Sequence, residues 1–550
     1  MPVTIRLTTC FRQNPEAILL PIMYRRQYLA GAVALAALLI VGLWLRNELQ
    51  PQRPNIVLLT VESWRAETAT PELMPNLFRA AEEGSRYINH RAISAWTGPN
   101  IIAVLTGLSP FEQGVHARGQ SISAEYAVFL DDLAVHGWEV ASLQSFAAMD
   151  VFRNLGLNVR PKKDPFEWLS ARAGEERPFF LWHHYLRTHL PYAPSDKFRR
   201  RYKYLTANLD PEANERLAVV QSASTIPAGS VTFEASDVSA LNALYLDGVT
   251  EFDDWFGRFW GFFNRSGLRD TTILVVTADH GEELLERGNV GHASTNRAGH
   301  LHDEILRVPM FVWLPGNREG KVVEAATDHT DIVPLLQKEV GLLPAPKGNE
   351  HFVAATSLAG YQEPSPEEPS GFEAALVQEG WKLRLRQTRE GPVVPHLHGL
   401  DADPGEIHDL AESEPDRVAA MSQVLLPKLL ALWQEPKTDQ SPSSDVEIAR
   451  PEWITPRESR IVRYADIADG ARLQWTGNPS GHYAVEYRAG DGALTLNGTL
   501  DVKGTSKDFG TVGEFYWRTW VVPYRRIRLR VIPAGHKSLA SEWVELRFAP

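Results

Sequence analysis

Cysteine is nearly absent from this 550-residue chain. The one present, Cys10, has no partner for an intramolecular disulfide, and zinc sites built on paired thiolates are excluded with it. A chain this long needs no such staples, because two or three domain-sized cores fit within it. An excess of positive charge is lacking too: 56 Lys and Arg stand against 68 Asp and Glu, for a net charge of -12. That balance argues against nucleic acid as a partner, since phosphate backbones are held by clustered basic side chains. Internal repeats and long low-complexity tracts are missing, which removes solenoid and fibrous architectures.

One long uncharged apolar run does occur. Residues 27–45 (QYLAGAVALAALLIVGLWL) carry no charge and, as a helix, would reach roughly 28 Å, about one bilayer core. Arg25 and Arg26 precede it, Arg46 follows, and the tail before it holds Arg6 and Arg12 against one acid, Glu16. Basic flanks stay on the cytoplasmic side, so residues 1–26 are expected to be a cytoplasmic tail and 27–45 a single-pass anchor. No small-x-small cleavage site follows, which favours an anchor over a removed signal peptide. Beyond a linker at 46–54, the rest is expected outside the cytoplasm, on the periplasmic side of the inner membrane if the cell is Gram-negative.

From 55 to 433, short apolar β-branched runs alternate with helical stretches. That is the pattern of an α/β domain whose mainly parallel sheet is sandwiched by helices. Residues 55–61 (NIVLLTV) and 272–277 (TILVVT) are near-continuous apolar runs, as expected of strands covered on both faces. Glu62-Ser63 follows the first and Asp279-His280 closely follows the second. Ligands of open α/β sheets bind beyond the C-terminal strand ends, so these residues are candidate site positions. A linker is expected over 434–456 and a β-sandwich domain over 457–550. There, alternating runs at 472–476, 482–488, 494–502, 516–523, 526–532 and 542–548 are separated by turn residues. Trp475, Tyr483, Trp517 and Trp520 are its expected core aromatics.

Residues 94–110 (SAWTGPNIIAVLTGLSP) place Thr97 just before Gly98-Pro99 and an apolar helical run that ends at Gly107. Proline in the first turn and glycine at the end give the usual helix polarity. Thr97 is therefore expected at a helix N-terminus, where free N–H groups and the dipole favour an anion. Beside a divalent cation, a hydroxyl there can ionise and attack phosphorus or sulfur. Taken alone, a threonine in this position is more often a plain helix cap.

This segment resembles the nucleophile motif of sulfatases, Cys/Ser-x-Pro-x-Arg followed by an apolar helix ending in Leu-Thr-Gly. The nucleophile of that motif lies ten positions before the glycine, which here is Thr97, and Pro99 falls on the motif proline. Thr replaces the Cys or Ser that becomes formylglycine, and Ile101 replaces the Arg. In that respect the chain is similar to the phospho-transferring branch of the sulfatase and alkaline-phosphatase superfamily, such as lipoteichoic acid synthases and lipid A phosphoethanolamine transferases. Residues 277–282 (TADHGE) resemble the Ser-Asp-His/Asn-Gly-Glu of the family. The resemblance implies an alkaline-phosphatase-like fold over about 54–433 and a metal site of Glu62, Thr97, Asp279 and His280.

The same resemblance implies substrate-side roles. Residues 179–194 (FFLWHHYLRTHLPYAP) match a strand and His-x-Pro-Tyr loop, putting His189 near the scissile group, while His183 and His184 are read as core histidines. Upstream of HDEILRVP, which is similar to Tyr-Asp-Glu-x-x-Arg-Val-Pro, His300 is the candidate second catalytic histidine, with His292 next and His302 structural. Arg118 is a candidate substrate contact. A mixed oxygen and nitrogen shell suits Mn2+ or Zn2+, with Ca2+ and Mg2+ as alternatives. The expected reaction is hydrolysis or transfer of a phosphate ester, lipid- or glycan-linked, through a covalent Thr97 intermediate. Two alternatives are a sulfuric ester hydrolase without formylglycine and a catalytically inactive binding protein.

Overall fold

The computed structural model describes residues 53–433, apart from 118–119, 124–125, 127, 161–163, 207–209, 225, 227–229, 293–299, 343–350 and 361–370, and it describes parts of 451–549. The expected anchor at 27–45, Arg118, most of the linker at 434–456, Trp517 and Trp520 lie outside the described residues. Among the described residues, no helix is long and apolar enough to cross a membrane.

Seven strands form the central sheet: β1 (Asn55–Val61), β2 (Ser85–Tyr87), β3 (Glu139–Ser142), β4 (Phe179–Tyr185), β5 (Thr272–Ala278), β6 (Met310–Trp313) and β7 (Lys321–Val323). Their order is β7-β2-β6-β5-β1-β4-β3. Strand β1 pairs in parallel with both β4 and β5, and β3 with β4. The sheet is mixed rather than uniformly parallel, because β6 runs antiparallel to both β2 and β5. The central strands read as unbroken apolar runs because both faces are covered. Val57, Leu59 and Val61 enter one core, and Ile56 and Leu58 the other. Helix α1 (Thr97–Thr106) packs into the second core through Ile101, Ile102, Val104 and Leu105. The 29-residue helix α2 (Asp237–Arg265) covers the first through Leu241, Leu244, Phe252, Phe256 and Phe259. At the end of α1, Gly107 takes φ 78°, a left-handed cap that costs glycine nothing.

A second, antiparallel sheet runs β8 (Phe352–Ser357), β9 (Gly371–Gln378), β10 (Trp381–Thr388) and β11 (Val394–Gly399) in sequential order. Helix α3 (Pro415–Ala431) covers it with Met421, Leu425 and Leu429. The C-terminal stretch forms a three-stranded and a five-stranded sheet. The alternation expected there is realised at Arg472–Trp475, His482–Ala489, Leu496–Lys503, Arg526–Pro533 and Val544–Ala549. Trp475 and Tyr483 are buried, as the sandwich reading requires, with ring centroids 5.7 Å apart.

Candidate functional site

Strands β1 and β5 lie side by side, so the residues after their C-terminal ends meet. Ser63 accepts a left-handed φ of 54°, turning the chain sharply after Glu62. That turn is tied down on three sides. Ser63 N donates to Asp279 Oδ1 at 2.9 Å, Tyr245 of α2 donates its hydroxyl to Ser63 O at 2.7 Å, and Arg65 N donates to the Tyr245 oxygen at 3.0 Å. Gly281 is required by close approach, because a Cβ there would stand 1.9 Å from Glu304 O.

Thr97 is the first residue of α1, as the sequence motif predicts. The loop leading to it is gripped by Asn100, which is fully buried and makes four hydrogen bonds. Its Oδ1 accepts from Ile93 N (2.8 Å) and Ser94 N (3.1 Å), and its Nδ2 donates to Ser94 O (2.8 Å) and Trp96 O (3.0 Å).

The four expected ligands converge. Thr97 Oγ1 donates to Glu62 Oε1 at 3.0 Å and lies 3.4 Å from His280 Nε2. His280 Nε2 is 3.4 Å from Glu62 Oε1 and 3.3 Å from Asp279 Oδ2. The His280 Nδ1–H donates to Gly281 O at 2.7 Å, which leaves Nε2 to face the other three groups. Asp279 Oδ1 accepts from Ser63 N and His280 N, but its buried Oδ2 has no hydrogen-bond partner. A buried carboxylate oxygen left without a donor is costly, and a divalent cation among these atoms would satisfy it. Burial and the Glu62 charge push Asp279 up to about 7. Burial would lower His280, yet the Asp279 and Glu62 carboxylates carry it up to about 9. Burial would raise Glu62, but hydrogen bonds to His184 and His280 hold it well below the usual range.

His184 is the residue the sequence reading passed over. It is buried, as expected of a core histidine, but it also serves the centre: its Nε2–H donates to Glu62 Oε2 at 2.7 Å, and its Nε2 lies 4.0 Å from Asp279 Oδ2. A directed chain fixes its tautomer: Trp182 Nε1–H donates to Thr60 Oγ1 at 2.9 Å, and the Thr60 hydroxyl donates to His184 Nδ1 at 2.7 Å. The available signal was the neighbouring-strand register that sets Thr60 opposite His184, which local sequence does not display. His183, on the other face of β4, stacks on Trp255 and fits the core reading.

On the substrate side, His189 and His292 stand together with ring centroids 5.1 Å apart, and both offer ligand atoms near Glu62. His189 Nδ1–H donates to Leu190 O, and His292 Nδ1–H donates to Glu282 Oε1 at 3.0 Å. Burial pushes Glu282 up to about 7. His300, expected to join His189, is placed elsewhere: its Nε2 bonds Glu283 Oε2 at 2.8 Å and its Nδ1 faces His302 Nδ1 at 2.9 Å. The two histidines take different partners: His292 bonds Glu282 and His300 bonds Glu283. The second histidine of the group is therefore His292.

Sheet and strand ends together define an α/β protein that gathers a hydroxyl, two carboxylates and an imidazole at one point. The sulfatase family model matches residues 165–339. The chain is 22% identical over 387 residues to the multifunctional alkaline phosphatase superfamily protein PehA of Trinickia caryophylli, covering 52% of this chain and 74% of that one. It is 23% identical over 328 residues to an ulvan-active sulfatase of Formosa agariphila, covering 52% of this chain and 61% of that one. Among solved structures, the phosphonate monoester hydrolase of Agrobacterium radiobacter aligns with a TM-score of 0.53 at 18% identity, over 69% of this chain and 95% of that one, a likeness of fold. The chain is thus similar to members of the sulfatase and alkaline-phosphatase superfamily, with the family-model match confined to residues 165–339.

Proposed function

We propose that this protein is a metal-dependent hydrolase or transferase of phosphate esters that acts through a covalent Thr97 intermediate. The observation that carries this reading is the convergence of Thr97 Oγ1, Glu62 Oε1, Asp279 Oδ2 and His280 Nε2 within 3.0–3.4 Å contacts. A bound Mn2+ or Zn2+ would supply positive charge that lowers the threonine hydroxyl pKa and polarises the ester. Glu62 Oε1 accepts the Thr97 hydrogen bond and orients the hydroxyl, whose proton would leave to solvent as its pKa falls. Thr97 Oγ1 attacks phosphorus in line, the new O–P bond forms as the bond to the leaving oxygen breaks, and His189 or His292 delivers a proton to that oxygen. Water, or an alcohol acceptor, then attacks the phosphothreonine and frees Oγ1. The α1 N-terminus lends its dipole to the anionic group.

The setting proposed for this chemistry is extracytoplasmic, with residues 27–45 as a single inner-membrane anchor and the C-terminal sandwich as a separate domain. A second reading, hydrolysis of sulfuric esters without formylglycine, is favoured by the match of residues 165–339 to the sulfatase model. The test is direct. The full-length protein with added Mn2+ or Zn2+ is assayed on p-nitrophenyl phosphate, a bis(p-nitrophenyl) phosphate diester and p-nitrophenyl sulfate, and the trapped enzyme is examined by mass spectrometry. Phosphorylated Thr97 supports the first reading; turnover of the sulfate ester alone supports the second; bound metal without turnover defeats both.

A further inference from the structure

A second group of metal-ligating side chains lies apart from the nucleophile centre. His300, His302 and Glu304 each offer one ligand atom, and all three atoms lie within 4.8 Å of one another. Their spacing is His-x-His-x-Glu, and His302 has extended backbone (φ -78°, ψ 160°) before the short helix Asp303–Leu306. Alternate residues of extended chain share a side, which brings the two imidazoles together. Both histidines are 8% exposed.

The hydrogen bonds around His300 resemble the surroundings of a metal-bound imidazole. Its Nε2–H donates to the Glu283 carboxylate at 2.8 Å, so Nδ1 carries the lone pair. A carboxylate on the far nitrogen fixes the tautomer and raises the basicity of the ligating one. That Nδ1 faces His302 Nδ1 at 2.9 Å. Two nitrogens on one tetrahedral zinc at about 2.0–2.1 Å would sit roughly 3.3 Å apart, a few tenths of an ångström more than here. Glu304 is held by Arg287 through Oε1, and burial raises its carboxyl despite that partner. Two imidazoles and one carboxylate are a donor set suited to zinc.

We propose that His300, His302 and Glu304 form a second zinc site, separate from the Glu62, Thr97, Asp279 and His280 centre and structural in role. It shares no ligand with that centre, and its histidine His300 is tied to Glu283, whereas His292 is tied to Glu282. Its place suggests its use. His302 is the N-cap of the Asp303–Leu306 helix, and Glu304 lies in its first turn. A cation held by His300, His302 and Glu304 would tie the start of that helix to the chain that leads into it.

The experiment counts zinc and does not read activity, so it stands or falls independently of the function proposed above. Full-length protein is loaded with Zn2+, freed of excess by gel filtration and measured by inductively coupled plasma mass spectrometry. His302→Ala and Glu304→Gln are each expected to carry one zinc fewer than the unaltered protein. Asp279→Asn is expected to keep this zinc, with two imidazoles and oxygen in its X-ray absorption shell. Should His302→Ala fail to fold, as judged by circular dichroism, the near-isosteric Glu304→Gln decides. Equal zinc in the unaltered protein and in the folded variants at 302 and 304 would overturn the proposal, leaving an N–H···N hydrogen bond between the histidines. Loss of all zinc from folded Asp279→Asn would overturn it equally.

Discussion

Glu62 and His184 meet at 2.7 Å across two neighbouring parallel strands, each supplied by a distant part of the chain. The contact makes His184 a support for a metal ligand although its own nitrogens are spent on Glu62 and Thr60. His184→Gln is therefore expected to keep the fold while metal affinity falls about 10- to 100-fold, the usual effect of removing such a support. Metal titration by isothermal calorimetry measures it, and an unchanged Kd would show that the contact is only structural.

Thr97→Ala is expected to lower kcat by roughly 10³-fold or more, with little change in melting temperature. The side chain is a single hydroxyl and methyl at the first position of a helix whose N-cap is Trp96. Thr97→Ser keeps the oxygen and should retain part of the rate. Comparable rates for Thr97→Ala and the unaltered protein would remove the nucleophile from this account.

Asn100 holds the Ile93–Trp96 backbone with all four of its hydrogen-bonding capacities. Asn100→Ala leaves buried amides and carbonyls unpaired, at about 1–3 kcal/mol for each group that finds no new partner. Stability by urea unfolding is expected to fall by that order. The rate should fall further than stability explains, because the freed loop delivers Thr97. A rate loss confined to the unfolded fraction would contradict this.

Lys382 is wholly buried between Asp303 (2.9 Å) and Glu406 (2.8 Å). Burial would raise the Asp303 carboxyl, but Lys382 and Arg91 hold it below the usual aspartate range. A depressed carboxyl stabilises the fold above its unfolded value, near 3.9, and that contribution is lost as pH falls toward the folded value. Lys382→Met should cost about 3–5 kcal/mol at neutral pH, because Asp303 and Glu406 lose the cation they share and keep only Arg91 and Arg384. In the variant Asp303 binds a proton more readily when folded, so the melting-temperature gap should narrow from pH 7 to pH 4. A gap that stays constant would mean the charges do not interact as described.

Local pattern carried much of this protein. The apolar runs of β1 and β5, the Pro-then-Gly polarity of α1 and the spacing from Thr97 to Gly107 are properties of short segments, and each was realised where it was read. Strand reversal at β6 was not legible, since an antiparallel strand buried on both faces reads like a parallel one. Nor was the role of His184, which depends on β4 lying beside β1 in one register. The choice of His292 over His300 as the neighbour of His189 was likewise a matter of tertiary structure. His292 bonds Glu282 and His300 bonds Glu283, and residue order alone does not assign those partners. Sequence determined which side chains were available; three-dimensional packing decided which of them share a point in space, because contacts between distant segments depend on strand order and facing.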